Sequence, residues 1–239
     1  LLGTVAVPTT AGARRDVLEG VDAALDRLAE ELGEEPVDVR ACSSAGGGLR
    51  LAVVGYERVV TAEAGARVAL SAGAKVVHVA SGRLDRAAMH QLRAVAPDVV
   101  LLVGGTDGGD AEVLRHNGAA LARHGPRVPY VVAGNAAVRE VVADLISASG
   151  RTAIGCENVL PRIGVLAPDS ARATIRDVFV RHVIGGKGLS RGPRFARLVR
   201  GATPDLVLTG VEVLAGELGG DVLVVDVGGA TTDVYSVLT

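Results

Sequence analysis

The chain has 239 residues, enough for one large domain or two small ones, and its 25 basic and 27 acidic side chains leave a formal charge of −2. No whole-molecule field favours nucleic acid or an anionic membrane, and aromatics at 2% with no Trp exclude stacking platforms for single strands. With 32 glycines and 49% hydrophobic residues, the composition is that of a glycine-punctuated α/β protein, not a disordered or disulfide-stapled one.

The first predicted element is a helix. After the extended run Val5 to Thr10, Val17, Val21, Leu25, Leu28 and Leu32 recur at three- and four-residue steps, and Gly33 stands at the C-cap. Val37 to Ala41 and Leu49 to Val54 read as short strands around Ser43-Ser44-Ala45-Gly46-Gly47-Gly48. That stretch suits either a long hairpin connection or a backbone that approaches a phosphate closely. A rhythm then sets in, with strands at 75–80, 98–103, 128–133 and 151–156 and helices near 61–72, 84–95, 111–124 and 136–148. Continuous β-branched runs separated by helices indicate a parallel sheet covered on both faces. The turns Ser81-Gly82, Gly104 to Asp110 and Gly134-Asn135 fall at the carboxyl ends of strands, where open α/β sheets bind ligands. Beyond Pro161 the rhythm breaks. A helix is predicted over Asp169 to Ile184, then a basic stretch to Arg200, a helix after Thr203-Pro204, an apolar strand over Asp221 to Val227, and a return strand over Thr232 to Leu238.

Cys42 and Cys156 form no CxxC pair, so neither a disulfide nor a zinc site is expected, both thiols read as buried, and a reducing cytoplasm is the natural compartment. No apolar run approaches the ~18 residues of a membrane span. His78, His90, His116, His124 and His182 show no metal-binding spacing, and His78 in mid-strand reads as a buried, hydrogen-bonded residue. Gly185-Gly186-Lys187-Gly188 lacks the earlier glycine and the final Ser or Thr of a P-loop. The basic side chains from Arg176 to Arg200 face a single acid, Asp177, and suit either a solvated surface or a dock for an acidic partner.

Two segments are candidate ligand sites. Asp226-Val227-Gly228-Gly229-Ala230-Thr231-Thr232-Asp233-Val234 ends an apolar strand in an acid and two glycines and restarts at once. Such a hairpin offers N–H groups of Gly228, Gly229 and Ala230 to a phosphate, hydroxyls of Thr231 and Thr232 as further donors, and Asp226 at the strand end for a hydrated Mg²⁺, with Asp233 beyond the turn among the nucleotide-binding candidates. An ordinary hairpin with a Gly-Gly turn is the alternative. The second segment, Gly104-Gly105-Thr106-Asp107-Gly108-Gly109-Asp110, lies between a strand and a helix whose first N–H groups suit an anion, or else it is a turn with Asp110 as helix cap.

The Asp226 segment resembles the second phosphate loop of the actin, sugar-kinase and heat-shock ATPase superfamily. Val7 to Thr10, Cys42 to Arg50, Gly104 to Gly109, Val132 to Asn135, Glu157 to Pro161 and Asp226 to Val237, taken in order, resemble the glutamate mutase accessory family of MutL or GlmL type. The resemblance implies an ATP- and Mg²⁺-dependent, chaperone-like factor that reactivates an adenosylcobalamin-dependent mutase and contacts its subunits, with no nucleic acid or membrane partner and homo-oligomer formation left open. It also implies a Rossmann-like parallel sheet with helices on both faces, inserted in part of an actin-like (ribonuclease H-like) ATPase domain. On that basis residues 1–55 belong to the first ATPase lobe, 56–160 to the insert and 161–220 to the helical return, while 221–239 open a second lobe. Nothing before Val5 supplies the superfamily's first phosphate loop and no adenosine segment follows the second. The expectation is a piece of a longer protein, inactive alone, whose full-length form is a weak ATPase. A small-molecule or anion-binding α/β module and a non-catalytic interaction domain are the alternatives.

Overall fold

A computed structural model describes residues 2–10, 16–43, 49–57, 61–72, 74–184, 189–190, 193–228 and 232–238. The chain begins with helix α1 (Val17–Leu32), which Asp16 caps by accepting the Leu18 N–H and Gly33 closes with φ 74°. Strands β1 (Ala41–Ser43) and β2 (Leu49–Gly55) follow. They do not form a hairpin. β1 pairs in parallel with a strand near residue 200, and β2 joins a separate sheet.

That sheet contains five parallel strands, β2, β3 (Ala74–Ser81), β4 (Val99–Leu102), β5 (Tyr130–Val132) and β6 (Ala153–Gly155), in the order β3-β2-β4-β5-β6. Helices α2 (Glu63–Ser71), α3 (Arg86–Ala94), α4 (Glu112–His124) and α5 (Arg139–Ala148) connect them. Reversal of direction after β3 carries α2 to one face and α3, α4 and α5 to the other, the doubly wound arrangement that right-handed crossovers produce. The two cores follow from it. Leu51, Val53, Leu101 and Val131 point toward α2 and α6 (Asp169–Val178), whereas Val54, Leu102 and Val132 point toward α3, α4 and α5. Central strands β4 and β5 are buried along their whole length because both faces are covered. The fold is therefore α/β with a Rossmann-like parallel sheet, and β2 is a full member of it, so the sheet starts at Leu49, ahead of residue 56.

The remaining elements form a frame around this sheet. Helix α6 runs into a π-helical turn, Phe179–Ile184. Helix α7 (Pro193–Leu198) leads into β7 (Val199–Ala202), the partner of β1, and α8 (Thr203–Leu218) follows at once with Pro204 in its first turn. The parallel β1–β7 pair thus joins the chain on either side of the five-stranded sheet. Two cross-links hold α6 to α8: Arg172 to Glu212 (3.2 Å), and the Arg176 guanidinium to the buried Asp205 carboxylate. Arg194 clamps Asp22 of α1 with two bonds of 2.6 and 2.9 Å. The basic stretch from Arg176 is therefore partly spent on internal ties. Strands β8 (Val222–Val227) and β9 (Thr232–Val237) close the chain as an antiparallel hairpin.

Candidate functional site

The β8–β9 hairpin carries the first candidate. Its register sets Val224 opposite Tyr235, Asp226 opposite Asp233 and Val227 opposite Thr232, so the connection is the four residues 228–231. Because side chains alternate along a strand, Val222, Val224, Asp226, Asp233, Tyr235 and Val237 share one face, which packs on α8. Tyr235 is buried there, and Asp226 and Asp233 lie beyond it toward the turn. Burial raises the Tyr235 hydroxyl above its ordinary pKa, and the Asp233 and Asp226 carboxylates push it further in the same direction. The face next to the turn is thus electronegative. Directly opposed carboxylates repel, and two acceptor-only oxygen donors side by side are the chemistry a hard cation such as Mg²⁺ selects. Gly228 is described; Gly229, Ala230 and Thr231 lie outside the described residues. Among the described residues no three or more His, Cys, Asp or Glu side chains converge.

The opposite face of the hairpin is open and mostly apolar, and Thr232 and Ser236 lie on it. Leu223 (66%), Val225 (54%), Val227 (74%) and Val234 (62%) are exposed. The apolar strand expected from the sequence is present, but one of its two faces has no cover among the described residues.

The second candidate, Gly104 to Asp110, is tied down by the protein itself. The loop leaves β4 through Gly104 and Gly105, and at Gly105 (φ 70°) a Cβ would overlap the Asp110 carbonyl oxygen. Asn135, 1% exposed, donates to the carbonyls of Thr106 (2.8 Å) and Gly109 (3.0 Å) and accepts the Ala137 N–H. Asn158 donates to the Gly105 carbonyl and to Asp107 Oδ1, both at 2.9 Å. The same Asp107 oxygen accepts the Ala136 N–H (2.8 Å) in the turn ahead of α5, so this carboxylate ties the loop to its neighbour. Asp110 Oδ1 accepts the N–H of Glu112, the first residue of α4 (2.6 Å), from just ahead of the N-cap residue Ala111.

This pattern extends to every loop at the carboxyl end of the sheet. Thr61 accepts from the N–H groups of Tyr56 and Glu57 after β2, and Asn117 donates to the Gly82 carbonyl and accepts the Leu84 N–H after β3. Thr61, Asn117, Asn135 and Asn158 are four of the five buried polar side chains among the described residues, and each staples one of these loops. Sequence reasoning missed that role. The available signals were an Asn next to the glycine that ends β5 and an Asn in the middle of an apolar helix face. Ligand-holding groups are therefore spent on the fold here, whereas at the foot of the hairpin turn Asp226 is exposed.

Other expectations fare unevenly. Cys156 is buried, and burial pushes its thiol up to about 11, far from a nucleophile's range. Cys42 is exposed, contrary to the expectation of burial, because β1 lies in the two-stranded sheet and not in the main core. His78 is only half-buried on edge strand β3, and its Nε2 has no hydrogen-bond partner among the described residues. No described helix is long and apolar enough to cross a membrane. Residues 44–48 and 185–188, where a phosphate cradle and a failed P-loop were considered, lie outside the described residues.

Comparison with known proteins gives one consistent result. A model of the MutL protein family matches residues 1–239. The protein named MutL from Clostridium tetanomorphum is 41% identical over 229 residues, covering 92% of this chain and 50% of the relative. The chain thus spans about half the length of that curated relative. No solved structure matches it. With the family model covering the whole sequence, the chain belongs to the MutL protein family.

Proposed function

We propose that this chain forms the nucleotide-gripping part of an ATP-dependent accessory factor for an adenosylcobalamin-dependent mutase of the glutamate mutase type. The observation that carries the reading is the hairpin, where Asp226 and Asp233 stand opposed at the foot of a four-residue, glycine-bearing turn. Family membership supports the association with a mutase. The internally stapled loops of the five-stranded sheet weigh against a small-molecule site there.

In this reading the N–H groups of the turn donate to phosphate oxygens, the Thr232 hydroxyl adds a donor, and Asp226 with Asp233 holds Mg²⁺. Bound there, the metal offsets the repulsion between the two carboxylates and between them and the phosphates. The five-stranded sheet is an insert in the first lobe of an actin-like domain, with β1 and β7 as the frame strands on either side of it, and the hairpin opens the second lobe. This chain alone binds ATP weakly and does not hydrolyse it; the full-length protein is a weak ATPase in the cytoplasm.

The test is Mg²⁺-dependent binding of a fluorescent ATP analogue to the full-length protein, with and without Asp226→Asn. The substitution keeps size but removes the charge and turns one of the two acceptor oxygens into a donor, and a loss of about tenfold or more is expected. Equal affinity for both proteins overturns the assignment of the site.

A further inference from the structure

On the face of the sheet opposite α2, helix α4 packs along α5, and on its other side, toward α3, a groove of about 620 Å³ opens. Its floor is apolar: Leu84 and Met89 from the α3 side, Ala120 from α4. Its rim is basic. Arg86, His90 and Arg93 follow one another at four- and three-residue steps along α3, and His124 faces them from α4.

Three observations give the groove a preference. Neither Arg86 nor Arg93 takes part in an ion pair among the described residues, unlike Arg176, Arg181 and Arg194 of the basic stretch. The one acid on the rim, Asp85, is already engaged, since its Oδ1 accepts the Ala88 N–H at 2.8 Å and caps α3. The five buried polar side chains of the described residues all lie elsewhere, so nothing in the floor is equipped to grip a small anion. The two guanidinium groups are seven residues apart on one helix, which places them roughly 10 Å apart along the axis, or two turns.

We propose that the α3–α4 groove docks an acidic amphipathic segment of a partner protein. Carboxylates two helical turns apart pair with Arg86 and Arg93, and an apolar side chain between them seats on Leu84, Met89 and Ala120. Charge complementarity selects the partner, and the apolar floor sets its register. This inference is independent of the nucleotide reading, because the groove lies on the five-stranded sheet and shares no residue with the hairpin.

The experiment uses this chain and a fluorescein-labelled helical peptide with leucines flanked by glutamates at i and i+7, followed by fluorescence anisotropy at low and high salt. Saturable binding is expected, weakening at least about tenfold in R86E/R93E and weakening with salt. R115E/R123E makes the same charge change on exposed residues of α4 outside the groove and is expected to cost less than about twofold. Ala120→Glu plugs the floor and should weaken binding about fivefold or more, with circular dichroism unchanged in all three variants. Equal losses in the two charge reversals reduce the effect to general attraction and overturn the proposal. So does an absence of saturable binding to the wild-type chain. Full displacement of the peptide by inorganic tripolyphosphate, with Ala120→Glu binding normally, makes the groove an anion site and likewise overturns it.

Discussion

The five-stranded sheet and the β8–β9 hairpin are written in the same vocabulary, Val- and Leu-rich runs closed by glycine turns, yet they use it differently. In the sheet, Val99 to Leu102 and Tyr130 to Val132 are fully enclosed, and the polar atoms of the loops above them are bonded to Thr61, Asn117, Asn135 and Asn158. In the hairpin, every second apolar residue is open and the carboxylates stand next to the turn. An element that satisfies itself contributes stability and has little left to offer a ligand. One that leaves apolar area and charge outward is where binding free energy remains available. The difference supports placing the proposed ligand site at the hairpin and not in the loops beyond the strand ends, where an α/β sheet ordinarily binds ligands.

The sharpest way to break this comparison is to damage the stapled loops. Gly105→Ala places a methyl group onto the Asp110 carbonyl at φ 70°, whereas Gly108→Ala, at φ 77°, meets nothing within 4 Å. The second substitution should cost only the left-handed strain of about 1 kcal/mol, the first at least about 3 kcal/mol because backbone must also move. Denaturant titration of both variants separates strain from clash; equal costs would mean that the loop is looser than its hydrogen bonds imply. Next in size is a matched pair of truncations. Leu101→Ala in the sheet should cost about 3 kcal/mol by emptying a filled core position. Leu223→Thr on the open hairpin face should change stability by less than about 0.5 kcal/mol. A large loss at Leu223 would show that the hairpin face is covered in solution.

Much of the sheet is legible in the sequence because its signal is local. Runs such as Val99 to Leu102 are too short for helices and too continuous for one-sided strands, so they read as central parallel strands. The fate of Leu49 to Gly55 is not local. Its nearest strand in sequence is β1, which invites a hairpin, but its partners β3 and β4 come from crossover connections. The pairing of Ala41–Ser43 with Val199–Ala202 is harder still. Four residues inside an arginine-rich stretch carry no period, and the partner lies on the other side of the five-stranded sheet in the sequence. At the hairpin the alternation around Asp226 and Asp233 gives the strands and the turn directly. Whether Val225 is covered depends on a surface elsewhere, and no pattern within the segment records it.

Two tyrosines extend the comparison to alkaline pH, one in each region. Tyr130, in the sheet, donates to the Pro126 carbonyl at 2.7 Å, and burial pushes its hydroxyl up to about 12, with Arg151 pulling the other way. The folded pKa lies above the unfolded value of about 10, so the neutral form stabilises the native state fully below pH 10. That contribution is lost as pH rises from 10 to about 12, by roughly 2–3 kcal/mol at 1.36 kcal/mol per unit. Tyr130→Phe should flatten this part of the stability–pH curve. Tyr235, in the hairpin, is also raised, but the Asp233 and Asp226 carboxylates share the cause with burial. Its shift should therefore answer to charge. In a tyrosinate absorbance titration, Asp226→Asn should move the Tyr235 transition to lower pH and leave the Tyr130 transition in place. Should the two transitions move together or neither move, the electronegative face assigned to the hairpin is not there, and the contrast between a self-satisfied sheet and an outward-facing hairpin loses its electrostatic half.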